Sequence, residues 1–213
     1  SYMASAGADL IFNKTEQVKD HYVRLKFAGN MHYRFNKANS LRFFTNGYTS
    51  TPSISLLNPY NTSTDSLQIV KGNPELKPSY ITNVGLNYQL YKGRWFLNAG
   101  ITYIHEKDMP NIVGVMSDNV YTRTYENKDK QHTLNPSLNM RYNIPKWGNI
   151  SLYGGYRHVY WETRGKGWFY TQLQWMLYCK QFTWTGLVNV QPYSYSEFGK
   201  TKSYTNTQTV LYW

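Results

Sequence analysis

The sequence predicts an all-β protein: an antiparallel, up-and-down transmembrane β-barrel, present as about ten strands of a larger barrel. Three observations carry this. Apolar and polar residues alternate with a period of two along many segments. The connections between those segments alternate between short and long. The composition is aromatic yet polar, with 21 Tyr, 7 Trp and 9 Phe among 213 residues and a mean hydropathy of -0.61. A water-soluble core would need more Leu, Ile and Val than this. A sheet with lipid on one face and water on the other needs aromatic and aliphatic residues on one side and polar residues on the other.

Alternation of this kind marks a strand whose faces meet different surroundings, because successive side chains point to opposite sides. In residues 22–36, Val23, Leu25, Phe27, Gly29, Met31, Tyr33 and Phe35 share one face. Arg24, Lys26, Ala28, Asn30, His32 and Arg34 share the other. A helix would scatter the same apolar residues around its cylinder. The run is long for a soluble strand and ample for a tilted membrane strand, which needs about 9–11 residues. The pattern recurs at 80–90, with Val84 and Leu86 against Asn83 and Asn87, and at 94–106, with Leu97 and Ile101 against Asn98 and Thr102. It recurs again at 131–143, with Leu134 and Leu138 against Asn135 and Arg141, and at 168–179, with Leu173 and Leu177 against Gln172 and Gln174. Weaker versions occupy 2–12, 40–49, 149–161, 182–192 and 204–213. No stretch reads as a helix.

Short connections fall at 36–40, 91–94, 144–148 and 179–181, and longer polar ones at 13–21, 50–79, 107–130, 162–167 and 193–203. Outer-membrane barrels gather short turns at the periplasmic rim and long loops outside, so two opposite rims are expected. Within 107–130, segments 111–116 and 119–126 are expected to rise as a hairpin, because a coil of that length is uncommon. Aromatic residues flank every short turn: Tyr33 and Phe35, then Tyr88, Tyr91 and Trp95, then Tyr142 and Trp147, then Tyr178, Phe182 and Trp184. Such residues form a girdle at headgroup level, apolar in body and wet at the edge.

Other function classes are poorly served. No run of eighteen apolar residues exists, so no membrane helix is expected. The opening SYMASAGADL lacks the basic start and apolar stretch of a secretion signal and already reads as strand, so the chain is expected to begin within a longer protein. The single cysteine, Cys179, gives neither an internal disulfide nor a Cys-rich metal motif, and reads as a small residue on an apolar face. The net charge of +11 is dispersed without a dense basic run, which argues against a nucleic-acid partner. The five histidines, His21, His32, His105, His132 and His158, show no metal-ligand spacing, and no cofactor is expected. Asp20, Asp65, Asp118, Asp129 and Glu162 fall in expected connections, while Glu106 and Asp108 share a strand face without forming a catalytic pair. No nucleophile elbow, P-loop or dinucleotide fingerprint occurs, so no enzyme is expected.

The candidate functional residues are therefore those on the polar strand faces and in the long loops. Arg24, Lys26, Arg34, Arg42, Arg141 and Arg157 are candidate lumen-facing groups, positioned to meet water, a solute or a plug. The segment TPSISLLNPYNTSTDSLQIVKGNPELKPSY at 51–80 resembles the signature stretch of the TonB-dependent outer-membrane receptor family. The matching positions are Thr51, Pro52, Ser53 and Ile54, then Gly72, Asn73, Pro74, Leu76, Lys77 and Pro78. The prolines fix φ and remove donors, which is expected to keep the loop from pairing as an extra strand. Gly72 and Asn73 are expected to supply the positive-φ positions of a tight turn.

The resemblance implies a barrel of about 22 strands in the bacterial outer membrane, filled by an N-terminal plug. It implies import of a scarce nutrient, such as a metal chelate, vitamin or glycan, with energy passed through TonB. Outer-membrane lipid, the plug, TonB and an unidentified nutrient ligand are the implied partners. No plug or TonB-contacting box is visible, so residues 1–213 are expected to be a single barrel segment that neither catalyses nor transports by itself. The alternatives are a complete small outer-membrane barrel acting as a pore or adhesin, and a soluble secreted β-rich binding module.

Overall fold

The computed structural model describes residues 1–14, 19–161, 164–196, 199–202 and 205–212. The strands before the first long loop are β1 (Tyr2–Lys14), β2 (Lys19–Arg34) and β3 (Asn39–Ser50). The loop itself carries a short helix, α1 (Ile54–Leu57), and a short strand, β4 (Gln68–Val70). Then come β5 (Ser79–Lys92), β6 (Trp95–Ser117), β7 (Val120–Ile144), β8 (Gly148–Trp161), β9 (Arg164–Cys179) and β10 (Phe182–Val190). The chain ends with β11 (Tyr193–Ser196), β12 (Gly199–Lys202) and β13 (Asn206–Tyr212).

Ten strands form one antiparallel meander in the order β1-β2-β3-β5-β6-β7-β8-β9-β10-β13. The all-β, up-and-down architecture and the strand number read from alternation are borne out. β4 joins the sheet in parallel beside β7, and β11 and β12 form a separate hairpin. One local reading is corrected. Residues 54–57 make one helical turn where none is legible, since four residues carry no detectable period. The hairpin expected from 111–116 and 119–126 is present and continues the membrane strands without a break: β6 and β7 run 23 and 25 residues and meet at Asp118-Asn119, with φ of 49° and 63°. Two consecutive left-handed residues of these types suit a tight hairpin turn. The alternation fades there because a hairpin beyond the membrane has water on both faces.

Register sorts the side chains. Directly opposed residues of an antiparallel ladder share a face. Along β6 and β7 the pairs Trp95↔Tyr142, Leu97↔Met140, Ala99↔Leu138, Ile101↔Pro136 and Tyr103↔Leu134 lie on one face. Phe96↔Arg141, Asn98↔Asn139, Gly100↔Ser137, Thr102↔Asn135 and Ile104↔Thr133 lie on the other. Followed across the neighbouring ladders, Val23, Leu25, Phe27, Leu86, Leu97, Ile101, Leu138, Leu173 and Leu177 all share the first face. Three glycines sit opposite rings that occupy the space a side chain would take: Gly47 under Phe27, Gly85 under Phe44 and Gly186 under Trp175. This cross-strand cover stabilises positions that lack packing of their own.

The sheet has almost no enclosed core. Among the described residues the buried hydrophobics are Leu76, Val159 and Trp168, whereas Val23 is 71% and Leu25 60% exposed. An apolar face of this extent marks a surface that lipid or an apolar partner covers. Aromatic contacts beside the short turns include Tyr33–Phe35 (4.9 Å), Trp95–Tyr142 (4.7 Å) and Trp175–Trp184 (5.5 Å) on the apolar face and Tyr91–Phe96 (4.7 Å) on the polar one, and others, such as Tyr156–Phe169, lie farther up the sheet. Because the meander reverses at every strand, turns 35–38, 93–94, 145–147 and 180–181 share one rim. The loop 51–78 and the turn at Asp118-Asn119 share the opposite rim.

Candidate functional site

The loop rim is the most elaborated part of the molecule. After β3 the chain passes Thr51, Pro52 and Ser53 into α1, whose first residue, Ile54, is 87% exposed. Beyond it, Asn61 Oδ1 accepts from the amides of Ser63 (3.0 Å) and Val70 (2.9 Å) and so ties the return strand to the outgoing chain. β4 then lies parallel to β7 with Gln68↔Tyr121, Ile69↔Thr122 and Val70↔Arg123, and the Lys71 amide donates to the Arg123 carbonyl at 3.1 Å. The prolines of the loop therefore do not keep it from pairing. They leave 68–70 free of proline, and that stretch pairs.

The second half of the motif is a clamp. The Gly72 amide donates to the Asn58 carbonyl (2.6 Å) and the Asn73 amide to the Leu56 carbonyl (2.7 Å). Asn73 Nδ2 donates to the Tyr125 carbonyl at 2.9 Å, and its Oδ1 accepts from the Glu75 amide at 2.9 Å. Leu76 and Pro78 are fully buried beneath this network. Neither Gly72 nor Asn73 is among the positive-φ residues, which corrects the expectation drawn from turn chemistry. Glycine is required at 72 for another reason: a Cβ there would stand 2.4 Å from the Leu56 carbonyl oxygen and 2.7 Å from the Asn58 amide nitrogen. That need arises from a contact sixteen residues back in sequence and has no local signature.

Asn127 of β7 fastens the clamp to the hairpin. Its Oδ1 accepts from the Lys77 amide (2.7 Å), and its Nδ2 donates to the carbonyls of Lys77 (2.9 Å) and Asp108 (2.6 Å). Ser79 Oγ donates to the same Asp108 carbonyl at 3.2 Å. Asp108 has φ of 58° and interrupts the β6–β7 ladder, and its carboxylate meets Arg24 Nη2 at 3.1 Å. Arg24 is on β2 and Asp108 on β6, with β3 and β5 between them. Three strand spacings in a flat sheet amount to roughly 14 Å. The two side chains meet only because this end of the sheet curls toward the polar face.

The six basic candidates share that polar face but do not form one cluster. Arg42 Nε donates to Asn30 Oδ1 (3.2 Å) and lies opposite His32, and Arg141 Nε donates to Ser151 Oγ (3.1 Å). Lys26, Arg34 and Arg157 are exposed on the same face. Histidines scattered in sequence come together instead. His105 and His132 stack at 4.6 Å with their Nδ1 atoms 3.2 Å apart, and Tyr103 OH lies 2.6 Å from His132 Nδ1. Among the described residues no group of three His, Cys, Asp or Glu could hold a metal. Two titrating groups stand beyond Tyr103, where the apolar band ends. Burial, then His132, Lys130 and Lys107, hold His105 below its ordinary value. Burial raises Glu106, opposed by the hydrogen bond from Gln131 (2.9 Å) and by the Arg157 charge. His21 lies where side chains are outside the description, and Glu162 lies outside the described residues altogether.

The described part of the rim thus offers an ordered surface of backbone carbonyls, amides and exposed apolar groups. A sheet with one apolar face, an aromatic girdle at one rim and built loops at the other is a membrane wall, and the sequence match agrees. The chain belongs to the outer membrane protein beta-barrel family, whose model matches residues 4–208. Its place is the bacterial outer membrane. Similar folds are found in a copper transporter, OprC (TM-score 0.63, 8% identity, 92% of this chain and 32% of that one). They also occur in the siderophore receptors PirA from Pseudomonas aeruginosa (0.55, 12%, 100% and 46%) and from Acinetobacter baumannii (0.58, 11%, 98% and 36%). The chain therefore spans less than half the length of each, and the likeness is one of fold. Comparison with curated proteins finds no match.

Proposed function

We propose that this outer membrane beta-barrel chain forms part of the wall of a TonB-dependent receptor that imports a scarce nutrient, and that it performs no catalysis. The observation that carries the reading is the loop 51–78, built as an ordered structure and fastened by Asn73 and Asn127 to the β6–β7 hairpin. A passive wall has no need of such a loop. A receptor rim does, because a ligand is captured most tightly by a surface already held in place. Exposed Tyr60 and Leu67 in the loop, with Val115, Met116 and Tyr121 at the hairpin, give that rim an apolar, aromatic character suited to an organic chelate. On this reading Arg24, Lys26, Arg34, Arg42, Arg141 and Arg157 face the lumen, where they meet water, solute or a plug.

The edges favour a wall over a complete small pore. Among the described residues β1 and β13 are the end strands of the sheet and are not paired with each other, so each leaves one edge open. In lipid the unpaired backbone groups of an open edge cost several kcal/mol apiece, so further strands belong beside them. Because the similar folds are those of a copper transporter and siderophore receptors, metal chelates are the class to try first. The test is growth of cells carrying the full-length protein on a panel of ferric siderophores and on limiting copper, with TonB present or deleted. Uptake that needs TonB is expected; uptake indifferent to TonB rejects the proposal. Discrete, reproducible channels in liposomes from the 213 residues alone would instead favour the pore or adhesin alternative.

A further inference from the structure

The apolar face ends abruptly at the loop rim. Above the pair Tyr103↔Leu134, the β6–β7 ladder sets His105 opposite His132 and Lys107 opposite Lys130. Both lysines are exposed, and both press on His105 electrostatically. Like charges placed directly across a ladder repel, and the next row adds two imidazoles rather than a counter-charge. Tyr80 and Thr82 of β5 flank these rows on one side, and Tyr160 of β8 on the other. Among the described residues no carboxylate shares them. The next acid on this face, Glu126, pairs with Asn111 two rows past Lys130. An anion seated here would relieve the repulsion.

Directly below is a cleft. Pro136 has no N–H to give, and the β7–β8 ladder skips from Leu134↔His158 to Ser137↔Gly155. One row further, Gly154 faces Leu138 with no side chain of its own, and a Cβ there would meet nothing closer than 3.5 Å. The space over it is open. It forms part of an almost wholly apolar cleft of about 580 Å³ walled by Leu138, Leu152, Tyr156 and Phe169. From His132 to Pro136 is four residues, or about 14 Å of strand, a distance readily spanned by an acyl chain.

We propose that cation rows and cleft together form a lipid site, with the phosphate of an outer-leaflet lipid on Lys107 and Lys130 and an acyl chain in the cleft over Gly154. The site rests on the apolar face meeting lipid, with the loop rim outward. Free phosphate would use the lysines alone and leave the cleft without a purpose.

The test uses the full-length protein, delipidated in non-ionic detergent and titrated with diphosphoryl lipid A or its dephosphorylated form. Native mass spectrometry counts the bound lipid, and heat-shifted gel migration reports a folded barrel. The wild-type protein should prefer the phosphorylated lipid. Lys107→Ala with Lys130→Ala should weaken that binding about 30-fold, and the double arginine variant should retain it. Gly154→Leu, which the open space accepts, should weaken both lipids. Equal binding of the two lipids by the wild-type protein overturns the phosphate site, even where the alanine variant fails to fold. Unchanged binding by Gly154→Leu overturns the cleft. A folded protein that holds neither lipid overturns the assignment of the apolar face itself.

Discussion

The side chain of Asn127 pairs with the backbone of Lys77 as a neighbouring strand would, accepting from its amide at 2.7 Å and donating to its carbonyl at 2.9 Å. One amide group thereby joins residues fifty positions apart and fastens the loop 51–78 to the β6–β7 hairpin. Its third bond, to the Asp108 carbonyl, holds the point where the β6–β7 ladder is interrupted.

Asn127→Ala should release the loop. Three hydrogen bonds at about 1 kcal/mol each suggest roughly 2–3 kcal/mol of local stability lost. Limited proteolysis of the full-length protein should then cut within 51–78 well before the barrel unfolds. Cleavage at the wild-type rate would show that Asn73 and the buried Leu76 and Pro78 hold the loop without it.

Gly72→Ala should disturb the same loop by a different route. The new Cβ would press on the backbone at Leu56 and Asn58, which cannot yield as a flexible side chain does. A cost of about 1–3 kcal/mol is expected, again read as loop proteolysis with heat-modifiable migration unchanged. Gly154→Ala serves as the comparison, since its contacts begin at 3.5 Å. If both substitutions behave alike, the steric account of Gly72 is wrong.

Arg24 and Asp108 should be coupled. The pair, with its side chains 26% and 13% exposed, joins β2 to β6 across two intervening strands. A double-mutant cycle with Arg24→Gln and Asp108→Asn should give about 1 kcal/mol of interaction in urea unfolding. Strict additivity would mean that the curl of the sheet persists without the pair.

The two faces should respond oppositely to charge. Leu138 lies in the middle row of the apolar band, and Ser137 points to the polar face beside it. Leu138→Arg should cost about 2–4 kcal/mol in folding into lipid vesicles, as a cation at mid-membrane does, and Ser137→Arg less than about 1 kcal/mol. The reverse order would invert the face assignment on which the membrane reading depends.

What the sequence determined by itself was the wall. Val23, Leu25 and Phe27 on one face and Arg24 and Lys26 on the other follow from covalent geometry, because side chains along a strand alternate whatever lies far away. The short turns and their aromatic neighbours were legible for the same local reason, and so was the meander they impose. The tertiary structure decided the contacts that hold the rim together. The steric need for Gly72, the Asn127–Lys77 bonds, the Arg24–Asp108 pair and the stacking of His105 on His132 all join residues between sixteen and eighty-four positions apart. Contacts of that span depend on the register of several ladders at once, and no period or local composition encodes them. The sequence therefore showed a membrane wall, while only the folded chain showed how its loops are held and which charges they bring together.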